Sequence, residues 1–258
     1  MNRLILLLCP LLLSLFGSLV SAAEPTHANL RYSKDYDRSV LDLWTVKSSK
    51  PVPLVVYFHG GGFNHGDKTM FNKNQFLQYH AKGVAFASVN YPFLVHVKRD
   101  YFKIMDHCAE AVRFLQANAK KYNIDKKRIS VMGASAGALI SCHLGHGHDL
   151  SLSSVFAFQQ PKGTPLMTYP KLRKDGPPII LYTGSGLSDV IHHPDNAKLV
   201  HKRCKELGVK SAIHGSDQSG LPLLARREIH HVVMKFFFES CSDEWMDDSI
   251  QVMGRFFG

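Results

Sequence analysis

The sequence predicts an α/β protein: a doubly wound, mostly parallel sheet with helices on both faces. Three observations predict it. Short continuous apolar runs such as Pro53–Phe58 and Val84–Val89 are bounded by turn residues, the pattern of strands buried on both faces. Segments with helical spacing alternate with these runs, which places crossover helices between parallel strands. The chain of 258 residues is long enough for one large core and short for two domains.

The elements follow in order. Arg3 precedes an apolar run from Leu4 to Val20, and Val20-Ser21-Ala22 supplies small residues before Ala23. That is the pattern of a cleaved signal peptide over residues 1–22, with cleavage near Ala22 and export to the periplasm or beyond the cell. The domain is expected over residues 23–241, with a tail at 242–258 whose acidic start and apolar end break the pattern. Asn29 to Asp42 reads as an entry hairpin. Strand 53–58 leads into His59-Gly60-Gly61-Gly62, and helical spacing over 69–82 precedes strand 84–89. Residues 100–122 place Ile104, Cys108, Ala111, Val112, Leu115 and Ala119 on one helical face. Strand 128–132 runs into a helix from Ala136 to Gly145. Strands near 154–158 and 178–182 follow, then a helix from Pro194 to Leu207 stopped by Gly208, a strand at 209–214 and a helix at 230–240.

A net charge of +10 is spread in short runs, without aromatics interleaved among basic residues. Nucleic acid is therefore not an expected partner, and no stable membrane insertion is expected once the signal is removed. Cys108, Cys142, Cys204 and Cys241 would remain in the mature chain, and four cysteines allow three pairings. None of their spacings matches a zinc site.

Two motifs carry chemistry. Gly133-x-Ser135-x-Gly137 lies between a buried strand and a helix, where a turn this tight needs small neighbours and lifts the serine hydroxyl above the sheet. The glycine run after His59 ends an earlier strand, and residues without side chains let backbone N–H groups approach a developing oxyanion. Gly61, Gly62 and Ala136 are the expected donors, and His59 braces their loop. No Gly-Lys-Ser/Thr sequence marks the run as a phosphate loop.

With these motifs, LDLW at 41–44, PVPLVVYFHGGGFNHGDK at 51–68, VNYPF at 89–93, the helix from Asp106 to Ala111 and IDKKRISVMGASAGAL at 124–139 resemble the α/β-hydrolase superfamily in its HGGG esterase/lipase branch. The likeness is to exported carbohydrate-esterase and feruloyl-esterase-like proteins. It implies the α/β-hydrolase fold, a Ser–Asp–His triad and an acyl-enzyme, with no cofactor and no metal. In the order of that fold the acid follows the serine. Asp189, after a glycine loop, is the expected acid, while Asp195 suits the first turn of a helix.

The family's base follows the last strand in a Gly-x-Gly-His-like loop, and the corresponding segment from Ile213 to Leu223 has no histidine at that place. His230 is the expected base and His231 the alternative, with His214 too early, inside the strand. His143, His146 and His148 read as a surface turn, and His192-His193 as pocket or turn flanks. Phe63, Asn64 and Tyr91–Leu94 are expected to shape the acyl pocket. The activity expected is hydrolysis of a small or polysaccharide ester, with acetyl or feruloyl groups on carbohydrate the class implied by resemblance. The short connection between the strands near 158 and 178 leaves little or no lid. A non-catalytic binding protein on this fold and a serine exopeptidase are the alternatives.

Overall fold

Strand β3 (Val52–Phe58) is buried along its whole length, and alternation divides its side chains between two cores. Val52, Leu54, Val56 and Phe58 join one cluster, Val55 and Tyr57 the other. Such a period-2 division is what a continuous apolar run means in a sheet covered on both faces. The computed structural model describes residues 24–225 and 228–238. The expected signal segment, Cys241 and the tail lie outside the described residues.

The remaining strands are β1 (His27–Arg31), β2 (Val40–Trp44), β4 (Ala85–Val89), β5 (Ile124–Ala134), β6 (Ser154–Phe158), β7 (Ile179–Thr183) and β8 (Ser211–Gly215). They form one sheet in the order β1-β2-β4-β3-β5-β6-β7-β8. The β1–β2 hairpin is antiparallel and β2 runs antiparallel to β4; every later pairing is parallel. The helices are α1 (Lys73–Ala81), α2 (Tyr101–Ala117), α3 (Ala136–Gly147), α4 (Thr164–Met167), α5 (Pro194–Leu207) and α6 (Ile229–Phe238). Residues of α2, α3 and α5 join the larger core, and those of α1 and α6 the smaller one on the opposite face. Between β6 and β7 lie only α4 and a single 3-10 turn at Tyr169–Lys171, so no helical lid rises there.

Capping explains where the boundaries differ from expectation. Helix α1 starts at Lys73 rather than near 69, because the Asn72 side chain accepts from the N–H of Gln75 at 3.1 Å. Helix α2 ends at Ala117, where the Asn118 amide turns back on the carbonyl of Phe114 at 2.8 Å. Gly208 closes α5 in the left-handed conformation at φ 71°, as the sequence indicates.

Helix α3 is buried on every side from Ala136 to His146, which corrects the reading of its histidines as a surface turn. His143 meets the carbonyl of Met167 at 3.2 Å and His146 that of Pro177 at 3.1 Å. Each imidazole thus spends one nitrogen tying α3 to a neighbouring segment. Burial holds both in the neutral form, with pKa values lowered to about 4. Cys108, Cys142 and Cys204 are buried free thiols.

The two histidines make stability depend on pH in a defined direction. An unfolded histidine titrates near 6.5, so between that value and about 4 the unfolded chain binds more protons than the folded one. Stability therefore falls on acidification, by at most about 1.4 kcal/mol per pH unit for each imidazole. Urea unfolding at pH 7 and pH 5 is expected to show this loss, and His143→Gln to reduce it. An equal loss in the variant would assign the dependence elsewhere.

Candidate active site

Ser135 sits between the end of β5 and the start of α3 with φ 56° and ψ −117°, a conformation that a residue bearing a Cβ adopts only under strain. Its N–H bonds the carbonyl of Phe158 at 2.9 Å, and its carbonyl accepts from Ala138 at 2.9 Å. The turn is this tight because Gly133 and Gly137 give way. A Cβ on Gly133 would meet the carbonyl oxygen of Phe58 at 2.6 Å, and one on Gly137 would overlap that same oxygen. The hydroxyl consequently stands over the carboxyl edge of the sheet, where ligands bind in open α/β folds.

The glycine loop lies beside it. A methyl group placed on Gly60 would be 3.4 Å from the Cβ of Ser135. Gly61 and Gly62 adopt positive φ, 110° and 59°, which favours glycine, and a Cβ on Gly61 would overlap the His65 carbonyl. Among the described residues, the amides of Gly61, Gly62 and Ala136 donate to no protein acceptor. These three N–H groups are thus committed to no bond within the fold.

The bracing of this loop is layered. His59 Nδ1 lies 2.6 Å from the Gly60 carbonyl, its ring stacks on Tyr91 with centroids 4.3 Å apart, and the Tyr91 hydroxyl donates to the His59 carbonyl at 2.7 Å. Burial lowers the His59 pKa to about 4. The imidazole is neutral, so Nδ1–H is the donor to Gly60. His59 is structural, as the sequence indicates. Arg38 holds the far side, donating to the carbonyls of Tyr91 at 3.0 Å and Gly66 at 2.9 Å. Phe63, Tyr91 and Leu94 are buried in the core, which corrects their assignment to an acyl pocket: they support the loop from beneath.

The acid and the imidazole come from one turn. Asp189 Oδ1 accepts the backbone N–H groups of Ile191 at 2.9 Å and His192 at 2.8 Å. Oδ2 accepts the Ser185 hydroxyl at 2.7 Å and faces His192 Nδ1 at 3.3 Å. The other nitrogen, His192 Nε2, is 2.9 Å from Ser135 Oγ. Donation by His192 N–H and by Ser185 holds the Asp189 carboxyl below the usual carboxylate range. An ionised Asp189 places the imidazole proton on Nδ1 and turns the Nε2 lone pair to Ser135. The result is a hydroxyl–imidazole–carboxylate chain suited to nucleophilic catalysis.

The expected base was His230 or His231. Both lie on α6, whose Ile229, Val233 and Met234 pack into the smaller core with Trp44 and Phe76; their side chains fall outside the described residues. The imidazole at Ser135 belongs to His192 instead. Its neighbour His193 caps α5, accepting from the N–H of Asp195 at 3.2 Å. Asp195 stands in the first turn of that helix, paired with Lys198 at 3.0 Å, and His214 lies within β8 opposite Tyr182. A signal for His192 was present in the sequence: an Asp-x-x-His spacing inside one turn-forming segment.

A family model, BD-FAE, of an α/β-hydrolase esterase family, matches residues 41–162. That span holds the glycine loop and Ser135 and stops before Asp189 and His192. Esterase 2 of Thermogutta terrifontis superposes with a TM-score of 0.70 at 16% identity, over 86% of this chain and 98% of that one. An acetyl ester-xyloside bifunctional hydrolase from Caldicellulosiruptor lactoaceticus gives 0.71 at 19% identity, over 84% and 97%. These likenesses establish the fold: the chain has the α/β-hydrolase fold.

Its sequence relatives include esterases of Mycobacterium tuberculosis. Esterase LipC is 29% identical over 113 residues, 43% of this chain and 28% of the relative. Carboxylesterase NlhH is 32% identical over 90 residues, 35% of this chain and 28% of the relative. The chain thus spans under a third of the length of the curated relatives it matches.

Backbone strain at the elbow is measurable. Ser135→Gly removes the hydroxyl and relieves the positive φ, so thermal unfolding is expected to show a gain of about 1 kcal/mol. A loss of stability would mean that the hydroxyl's contacts outweigh the strain.

Proposed function

We propose that this protein is a serine esterase acting through an acyl-enzyme on Ser135. The observation that carries this reading is the position of His192, with Nε2 at 2.9 Å from Ser135 Oγ and Nδ1 facing Asp189. His192 takes the hydroxyl proton as Oγ attacks the ester carbonyl carbon. The tetrahedral oxyanion is held by the amides of Gly61, Gly62 and Ala136. The carbon–oxygen bond to the alcohol breaks, and His192 delivers the proton to the departing alkoxide. Water, deprotonated by the same imidazole, then attacks the acyl carbon; Ser135 regains its proton and the acid leaves.

The substrate class we favour is a short acyl or feruloyl ester of a carbohydrate. Structural neighbours include a carbohydrate esterase from gut microbiota and the acetyl ester-xyloside hydrolase. A cavity of about 430 Å³ at the ends of β6 to β8, lined by Phe158, Gln159, Tyr182, Gly184, Ser216 and Leu223 but not by Ser135 or His192, could take the part of a substrate remote from the ester bond. Leu187, Val190 and Ile191 on the acid loop expose apolar surface near the base. The absence of a helical lid between β6 and β7 favours small esters over long-chain lipid. We also propose export, on the strength of residues 1–22 alone.

Hydrolysis of p-nitrophenyl acetate tests the chemistry. Ser135→Ala and His192→Ala are each expected to lower kcat/KM at least about a thousandfold, with His230→Ala and His231→Ala near the parent rate. Full activity in His192→Ala would remove the assigned base, and loss in His230→Ala would restore the expectation read from the sequence. Chain length tests the substrate class: p-nitrophenyl palmitate is expected to be hydrolysed at least about a hundredfold less efficiently than the acetate. The reverse preference would point to a lipase.

A further inference from the structure

We propose that Ser185 is a positioning residue: its hydroxyl, aimed by the side-chain amide of Gln159, fixes the Asp189 carboxylate in the orientation that directs His192 at Ser135. The inference rests on the assignment of Ser135, His192 and Asp189 made under Proposed function. It follows from how the ends of four adjacent strands are tied together.

The chain leaves β5 at Ser135 and β6 at Gln159, and both residues adopt positive φ, 56° and 55°. Each passes one backbone hydrogen bond to the next strand: Ser135 N–H to the Phe158 carbonyl at 2.9 Å, Gln159 N–H to the Tyr182 carbonyl at 2.8 Å. From there the Gln159 side chain reaches the loop after β7. Its Oε1 accepts the Gly184 N–H at 3.1 Å, and its Nε2 donates to Ser185 Oγ at 3.1 Å. The amide cannot be the other way round, because a backbone N–H only donates and must face the oxygen.

The direction of the next bond is equally determined. Ser185 Oγ receives the Gln159 N–H, so its single hydrogen goes to Asp189 Oδ2, at 2.7 Å. On the other side the Ser216 hydroxyl, from the loop after β8, donates to the Gly184 carbonyl at 2.9 Å. Residues 184 and 185 are thereby clamped between the end of β6 and the loop after β8. That loop, which lacks the expected histidine, buttresses the acid instead.

Ser185 matters because the remaining hold on Oδ2 is weak. Oδ1 is committed to two backbone amides, but Ser185 apart, Oδ2 has among the described residues only His192 Nδ1 at 3.3 Å, a long contact for a hydrogen bond to a carboxylate. The 2.7 Å bond from Ser185 is the short one, and it stops the carboxylate from turning to solvent. An acid held in place orients an imidazole; one free to rotate does not.

The test is steady-state kinetics on p-nitrophenyl acetate for Ser185→Ala, Ser185→Thr, Gln159→Glu and the Ser185→Ala/Gln159→Glu pair, each with its thermal midpoint recorded. Ser185→Ala is expected to lower kcat about tenfold with KM within about twofold, and Ser185→Thr, which keeps the hydroxyl, to recover most of it. Gln159→Glu keeps the shape and loses the donor; about a threefold loss is expected, adding nothing on top of Ser185→Ala because the two act in series. An unchanged kcat in Ser185→Ala, a threonine that restores nothing, or additive losses in the pair would each overturn the inference. Should Ser185→Ala not fold, Gln159→Glu decides alone, a parent-like kcat overturning it. His192→Ala runs alongside: full activity there sinks the triad and this inference with it, whereas inactivity there with a parent-like Ser185→Ala sinks this inference alone.

Discussion

The catalytic edge depends on how closely the start of helix α3 passes the end of strand β3. The carbonyl of Phe58 occupies the space where a Cβ on Gly137 would lie, and it is 2.6 Å from where one on Gly133 would lie. Without those two methyl-free positions the chain could not turn from β5 into α3 within one residue. Ser135 would then not be forced to positive φ or raised above the sheet. The same proximity brings Gly60, two residues beyond Phe58, against the Cβ of Ser135. One close backbone approach thus sets the hydroxyl and brings the glycine loop beside it, and the strain it stores is held by a helix buried on every side.

The acid and base are built on a different principle. Asp189 and His192 are three residues apart, in a turn whose geometry comes from the carboxylate accepting two of the turn's own amides. Such an Asx-type arrangement is local and determined by sequence spacing. Its placement opposite Ser135 is not local. It requires β7 to lie next to β6 and β6 next to β5, so that three successive strand ends stand in a row. The α/β-hydrolase branch that the chain resembles draws its imidazole from a further loop, after the last strand. Here that loop clamps the acid segment, and a hydroxyl–imidazole–carboxylate arrangement is completed with one fewer excursion of the backbone.

Histidine serves two opposed purposes in this molecule. His59, His143 and His146 are buried and kept neutral, with pKa values lowered to about 4, and each gives one ring nitrogen to a backbone carbonyl. They act as polar pins that fit within apolar cores. His192 is half-buried beside an ionised carboxylate, the setting in which an imidazole exchanges protons. Burial and partner separate the roles; residue type does not.

Much of this was legible in the residues themselves. The strand and helix succession followed from apolar runs and periodicity, because a parallel sheet covered on both faces leaves the same mark wherever it occurs. Gly133, Gly137 and the run from Gly60 to Gly62 announced the tight turns around Ser135, since a Cβ at Gly61, Gly133 or Gly137 would collide with neighbouring backbone. Asp189 was legible from its place after a glycine loop. The histidine was not. An imidazole's role depends on which strand ends the sheet order sets side by side, and one-dimensional spacing does not carry that order. His143 and His146 were misjudged for a related reason: a polar residue type reads as surface until the fold supplies the carbonyls that satisfy it. The sequence by itself determined the local turns and the class of fold. Only the tertiary structure decided which of the histidines reaches the serine, because that contact spans 57 residues of chain and exists only once the sheet has closed the distance.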